Sequence, residues 1–219
     1  MARAITKQEI RRNVLVEWLA ATVQFYQDHR ARIQAAVAAA AVLGIAGGGY
    51  WWYLGRKEAD AARALAGAYA VLRGEEAGKA DAREEALKRF REVTNTHQGT
   101  RSAEEAQIAV GNLSYESGKT DDALTSYNTY LTRYPRGRFR IMAGMGSAYA
   151  MEAKGDLQGA VQILPGVIEG DRDNPLAGEA YMSLARAYEG LKQPEDAMRV
   201  YGQVVERFSQ TNWAQQALQ

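Results

Sequence analysis

The eight residues Ala123–Tyr130, ALTSYNTY, return 37 positions later as AVQILPGV at 160–167 and again as AMRVYGQV at 197–204. One period earlier stands ALKRFREV at 86–93. Each copy opens on alanine (Ala86, Ala123, Ala160, Ala197), has a large apolar residue four places on (Phe90, Tyr127, Leu164, Tyr201) and another at seven (Val93, Tyr130, Val167, Val204). Positions 0, 4 and 7 share one face of an α-helix, so the pattern predicts an amphipathic helix in every period. Alanine marks a close helix crossing, and the larger side chains fill the space around it. The position after each alanine (Leu87, Leu124, Val161, Met198) is apolar as well.

Each of these B helices follows an A helix with an apolar set of its own: Val110, Gly111 and Tyr115, then Met145, Gly146 and Tyr149, then Leu184, Ala185 and Tyr188. Gly118, Gly155 and Pro194 are breakers that place a turn between the two. A period of 37 residues therefore holds one helical hairpin, and stacked hairpins build a solenoid. The final NWAQQALQ predicts a short closing helix, with Trp213 covering the face presented by Val204 and Phe208.

The spacing resembles the tetratricopeptide repeat (TPR), whose pattern runs Leu-Gly-x-x-Tyr, then Ala, then an aromatic four later, then Pro. Leu184, Ala185, Tyr188, Ala197 and Tyr201 carry it in the last unit; Gly111, Gly118, Ala123, Tyr127 and Pro135 carry it in an earlier one. The chain departs from the pattern in its period, in lacking the tryptophan, in Ser209 at the proline position, and in an insertion between Tyr69 and Ala86. The resemblance implies an all-α fold over 55–219 of about four hairpins and a cap. It also implies a concave groove lined by A helices that takes a peptide or protein. The unit alignment nominates Ile108, Asn112, Tyr115, Arg140, Ala143, Ser147, Met182 and Arg186 for that groove. A carboxylate clamp wants Lys where Ile108 precedes Asn112, so recognition of a C-terminal carboxylate is not expected.

Upstream the chain changes character. From Ala35 to Leu54 no residue is charged, and twenty helical residues rise about 30 Å, the thickness of a bilayer's hydrocarbon core. The run closes on Tyr50, Trp51, Trp52 and Tyr53, amphipathic rings that favour the headgroup level. A cleaved signal peptide would need a shorter leader and small residues where these aromatics stand. A transmembrane helix over 33–54 is the reading. Ala40, Gly44 and Gly48 share one face; small residues at this spacing let a second membrane helix approach, and they are also simply common in membrane spans. The preceding segment, 1–32, is basic and patterned: Ile10, Val14, Leu15, Trp18, Leu19, Val23 and Tyr26 form a stripe that suits a helix on the membrane surface before the chain turns in, or one docked on a partner subunit.

The net charge of +1 is unevenly divided. Residues 1–32 hold six Lys/Arg (Arg3, Lys7, Arg11, Arg12, Arg30, Arg32) against three acids, leaving 21 bases and 23 acids beyond. The positive-inside rule then places the N-terminus in the cytoplasm and the repeat domain outside it, in a bacterium the periplasm. Nothing is basic enough to suggest nucleic acid.

No chemistry is legible. With no cysteine there is no disulfide, thiolate site or Cys nucleophile. His29 and His97 lack metal-ligand spacing. Asp171, Asp173 and Asn174 lack the EF-hand arrangement and are expected to cap the next helix. No cofactor, metal or catalytic residue is assigned. The order of basic tail, single span and TPR hairpins resembles the YfgM-like family, ancillary subunits of the bacterial Sec translocon linked to chaperones. That likeness implies a membrane-anchored, non-enzymatic adaptor with protein partners and the lipid bilayer around its span. A structural accessory subunit of a large membrane complex (respiratory, photosynthetic or secretory) is the alternative.

Overall fold

The computed structural model describes residues 7–73 and 80–219, with side chains described for 16–73 and 81–219. Every regular element among the described residues is a helix. In chain order they are α1 (Lys7–Val71), α2 (Ala80–Thr96), α3 (Arg101–Glu116), α4 (Thr120–Arg133), α5 (Arg140–Ala153), α6 (Leu157–Glu169), α7 (Ala177–Gly190), α8 (Pro194–Arg207) and α9 (Asn212–Ala217). Two compact units divide the chain, Met1–Gly55 and Arg56–Gln219.

The second unit is an α-solenoid of TPR-like hairpins. The end of α1 pairs with α2, and α3/α4, α5/α6 and α7/α8 follow, each helix packed on the next. The A helices also meet one another, α3 on α5 and α5 on α7. Burial explains the period. Ala86, Ala123 and Ala160 are wholly buried, and Phe90, Tyr127 and Leu164 fill the space beside them with Val93, Tyr130 and Val167. Burying each of the larger side chains contributes roughly 1.5–3 kcal/mol, so the repeat is a packing code. The code weakens at the last hairpin, where Tyr201 is half-buried and Met198 is 72% exposed. Among the described residues an exposed ion pair from a B helix to the turn of the next hairpin occurs twice. Glu84 and Asp121 pair with Lys119 and Lys154 there, which adds little energy.

Inside the hairpins the tight turns are made by one left-handed residue. It is Gly118 (φ 73°) in the second hairpin and Gly155 (φ 80°) in the third. One period further the position belongs to Lys192 (φ 59°). Pro194, expected as the breaker there, instead opens α8 as its first residue, where its missing N–H costs nothing.

Two further expectations change and one is extended. Asn174 does not cap α7: its Oδ1 accepts from Leu176 N at 3.0 Å, an Asx turn one step ahead of the helix, and its Nδ2 donates to Asp171. Trp213 shares the apolar cluster with Val204 and Phe208, but its ring also lies on Gly178 of α7, where a Cβ would stand 2.5 Å from it. Residues 7–32 are not a helix separate from the apolar run. Within the first unit α1 is unbroken from Lys7, since no proline or cap interrupts it. The side chains of Ile10, Val14 and Leu15 lie outside the described residues; Trp18, Leu19, Val23 and Tyr26 are exposed.

The same helix holds a stretch apolar and long enough to cross a membrane, none of it buried. Ala40, Gly44 and Gly48 face open space, and a Cβ at either glycine would meet nothing within 4 Å. Tyr50, Trp51, Trp52 and Tyr53 are all exposed.

Candidate functional site

Tyr127 organises the surface formed by the A helices. It rises from α4 between two glycines, Gly111 of α3 and Gly146 of α5, where a Cβ would stand 2.5 and 2.4 Å from its ring. Both glycines belong to the repeat pattern, and the structure gives their reason: one aromatic ring separates two helices that a methyl group would push apart. The Tyr127 hydroxyl donates to Asn112 Oδ1 at 2.7 Å, which fixes that amide at the rim. Burial, then the nearby Glu116 carboxylate, pushes the Tyr127 phenol above its ordinary value. It remains a neutral donor.

Over this ring lies a hollow of about 290 Å³. From α3 come Asn112, Tyr115 and Glu116; from α5, Met142, Met145, Gly146 and Tyr149; from the start of α7, Leu176 and Glu179. The α5 residues follow the helical intervals 3, 4 and 7, one continuous stripe. Tyr149 donates to Glu179 Oε1 at 3.2 Å, joining α5 to α7 across the hollow. Its phenol is raised, first by burial and then by the Glu179 charge. Next to it on α5, burial raises the Glu152 carboxyl against the lowering pull of Arg186 and Ser183 on α7.

The nominated groove residues divide. Asn112 and Tyr115 line the hollow, and Arg186 is exposed beyond it. Ile108, Ala143, Ser147 and Met182 are buried within the stack instead. Ile108 and Ala143 pack with Ala123, Tyr127 and Tyr130, and the Ser147 hydroxyl donates to Asn128 Oδ1 of α4 at 3.0 Å. Arg140 turns away: its guanidinium donates to Val167 O and Gly166 O, both at 2.7 Å, and closes the C-terminal end of α6. The unit alignment sets α5 two residues out of step with the stripe that lines the hollow. Met142, Met145 and Tyr149 were recoverable from their own spacing.

The histidines have structural surroundings. His29 stacks on Phe25 at 4.5 Å between ring centroids, and His97 is half-buried in the α2–α3 turn. Among the described residues no group of three or more His, Cys, Asp or Glu side chains could hold a metal ion.

The hairpins match known proteins in fold. A family model described as tetratricopeptide repeat matches residues 105–136 and 179–211, which are the α3/α4 and α7/α8 hairpins. Among solved structures, MamA from Desulfovibrio magneticus RS-1 (residues 41 to the end) superposes with a TM-score of 0.53 at 20% identity, over 67% of this chain and 74% of that one. A putative kinesin light chain from Podosopora anserina with nearly identical TPR-like repeats gives a TM-score of 0.50 at 18% identity, over 73% and 76%. No curated protein matches the sequence. The class is therefore a TPR-type solenoid, a fold that presents surface to other proteins.

Proposed function

We propose that the chain is a membrane-anchored, non-catalytic scaffold whose TPR-type domain holds a segment of another protein on its concave face. The observation that carries this reading is the hollow over Tyr127. It is walled by Tyr115, Met145 and Tyr149 and edged by a fixed amide at Asn112, the mixture of apolar surface and few polar groups typical of a recognition site. Residues 33–54 supply the anchor, with Tyr50–Tyr53 at the interface. The basic segment 1–32 lies in the cytoplasm, and 55–219 faces the periplasm across a bacterial inner membrane. An ancillary role in the export or chaperoning of envelope proteins follows from that placement.

The exposed Trp18, Leu19, Phe25 and Tyr26 on α1 favour a second reading, a structural accessory subunit held in a large membrane complex through its first unit. One experiment separates the two. The full chain is purified in mild detergent beside Tyr149→Asp and Gly44→Leu/Gly48→Leu variants, and co-purifying proteins are identified by mass spectrometry. Loss of partners from the groove variant alone supports the scaffold. Loss from the span variant alone, with one stoichiometric partner retained by Tyr149→Asp, supports the accessory subunit.

A further inference from the structure

The hollow over Tyr127 is apolar within and carries charge of one sign at its edge. Its two ionisable side chains of ordinary carboxylate or base type are Glu116, at the end of α3, and Glu179, in the first turn of α7; no Lys, Arg or His lines it. The other hollows described on this domain each contain arginine. Beyond Tyr149 the next charges, Glu152 and Arg186, oppose each other and leave the acidic balance unchanged. At about 290 Å³ the space lies at the lower limit of small-molecule sites, enough for one large side chain. Met142 and Met145 bring flexible, polarizable thioethers that adapt to anchors of different shape.

We propose that the hollow takes a single large apolar side chain, aromatic or Leu/Met, from a partner segment in which Lys or Arg flanks that anchor. The anchor seats against Tyr127, Tyr149 and Met145, and the flanking cations face Glu116 and Glu179. This rests on the reading of the concave face as a protein-binding site and names the chemistry of its partner.

Three fluorescently labelled nonapeptides test it against the full chain in a neutral maltoside detergent, by anisotropy. One carries a central Phe flanked by Lys on both sides, one the same Phe flanked by Glu, and one a central Gly flanked by Lys. The Lys-flanked Phe peptide is expected to bind about tenfold more tightly than its Glu-flanked counterpart, the scale that two rim ion pairs support. That preference narrows as salt is raised. The Lys-flanked Gly peptide shows no saturable binding. Glu116→Gln with Glu179→Gln abolishes the preference while retaining binding of the Phe anchor. Because Gln still accepts from Tyr149, the variant keeps the fold, checked by an unchanged melting temperature. Equal or tighter binding of the Glu-flanked peptide overturns the inference and leaves protein binding standing. A preference for the Lys-flanked peptide that survives the double variant overturns the assignment to this hollow. Failure of both Phe peptides to bind overturns the inference together with the reading beneath it.

Discussion

At the scale of single residues the 37-residue period isolates one position where the chain departs from its own rule. Gly118 and Gly155 make the hairpin turn with positive φ, and Lys192 makes it in the last hairpin. An L side chain in that region costs about 1–2 kcal/mol, partly returned because glycine loses more freedom on folding. Lys192→Gly should therefore raise stability by about 1 kcal/mol, read as a higher melting temperature of the full chain in detergent. The converse holds at Gly146. A methyl there meets the Tyr127 ring at 2.4 Å, so Gly146→Ala should cost roughly 1–3 kcal/mol. Tyr127→Leu, which copies Leu164 one period on, should return part of that loss. Such positions were legible in the sequence because packing selects them. Ala123 and Ala160 recur since nothing larger fits, whereas the exposed Met198 keeps only the letter of the pattern. Lys192 was hidden because Pro194 two residues later already signalled a turn.

At the scale of elements, helix starts are held by carboxylates from the hairpin before. Glu58, on α1 where the second unit begins, accepts from Arg101 N at 2.7 Å, Ser102 N at 3.0 Å and Ser102 Oγ at 2.7 Å, and so caps α3. Its neighbour Lys57 donates to Gln98 O at 2.6 Å. Glu104 does similar work one hairpin on, accepting from the Tyr130 hydroxyl and from Arg138 N at 2.9 Å. Gly137 sits beside it, with no room for a Cβ between the Tyr130 hydroxyl and the Glu104 carboxylate. Burial acts to raise the Glu58 carboxyl, but the three hydrogen bonds and the Arg101 charge outweigh it, and the folded value lies below the ordinary one. A depressed carboxyl contributes stability that is present above its unfolded value, about 4.3, and is lost as pH falls through the folded value. Glu58→Ala should lower stability by about 2 kcal/mol at pH 7. The gap from the parent should close in melts taken below about pH 4. None of this was legible, because a cap between hairpins distant in sequence leaves no periodic trace. The groove was half legible for a related reason. Core positions such as Ala123 and Ala160 answer to neighbours in every unit, while Met142 lines the hollow at a register that the unit alignment does not reproduce.

For the whole molecule, the uninterrupted apolar run and the charge of the first 32 residues bear on the proposed orientation. Replacing Arg11, Arg12, Arg30 and Arg32 with Gln removes most of the basic excess near the span, and Lys/Arg close to a span set its direction. A reporter active only outside the cytoplasm, fused to Gln219, should be active in the parent and lose a measurable fraction of its activity in this variant. Full parental activity in the variant would show that something other than these arginines sets the orientation, and a silent parent fusion would reverse it. The second unit carries a separate consequence in the locality of its contacts, each helix touching its chain neighbours and the A helix of the adjacent hairpin. Among the described residues no strand or distant segment must be captured before packing begins, so closing loops costs little entropy and folding is fast and incremental. Pulled from its ends, such a stack should lengthen in a staircase, each step releasing about one period of chain, rather than give way in one rupture. A tethered scaffold of this kind would work as a yielding spring under load.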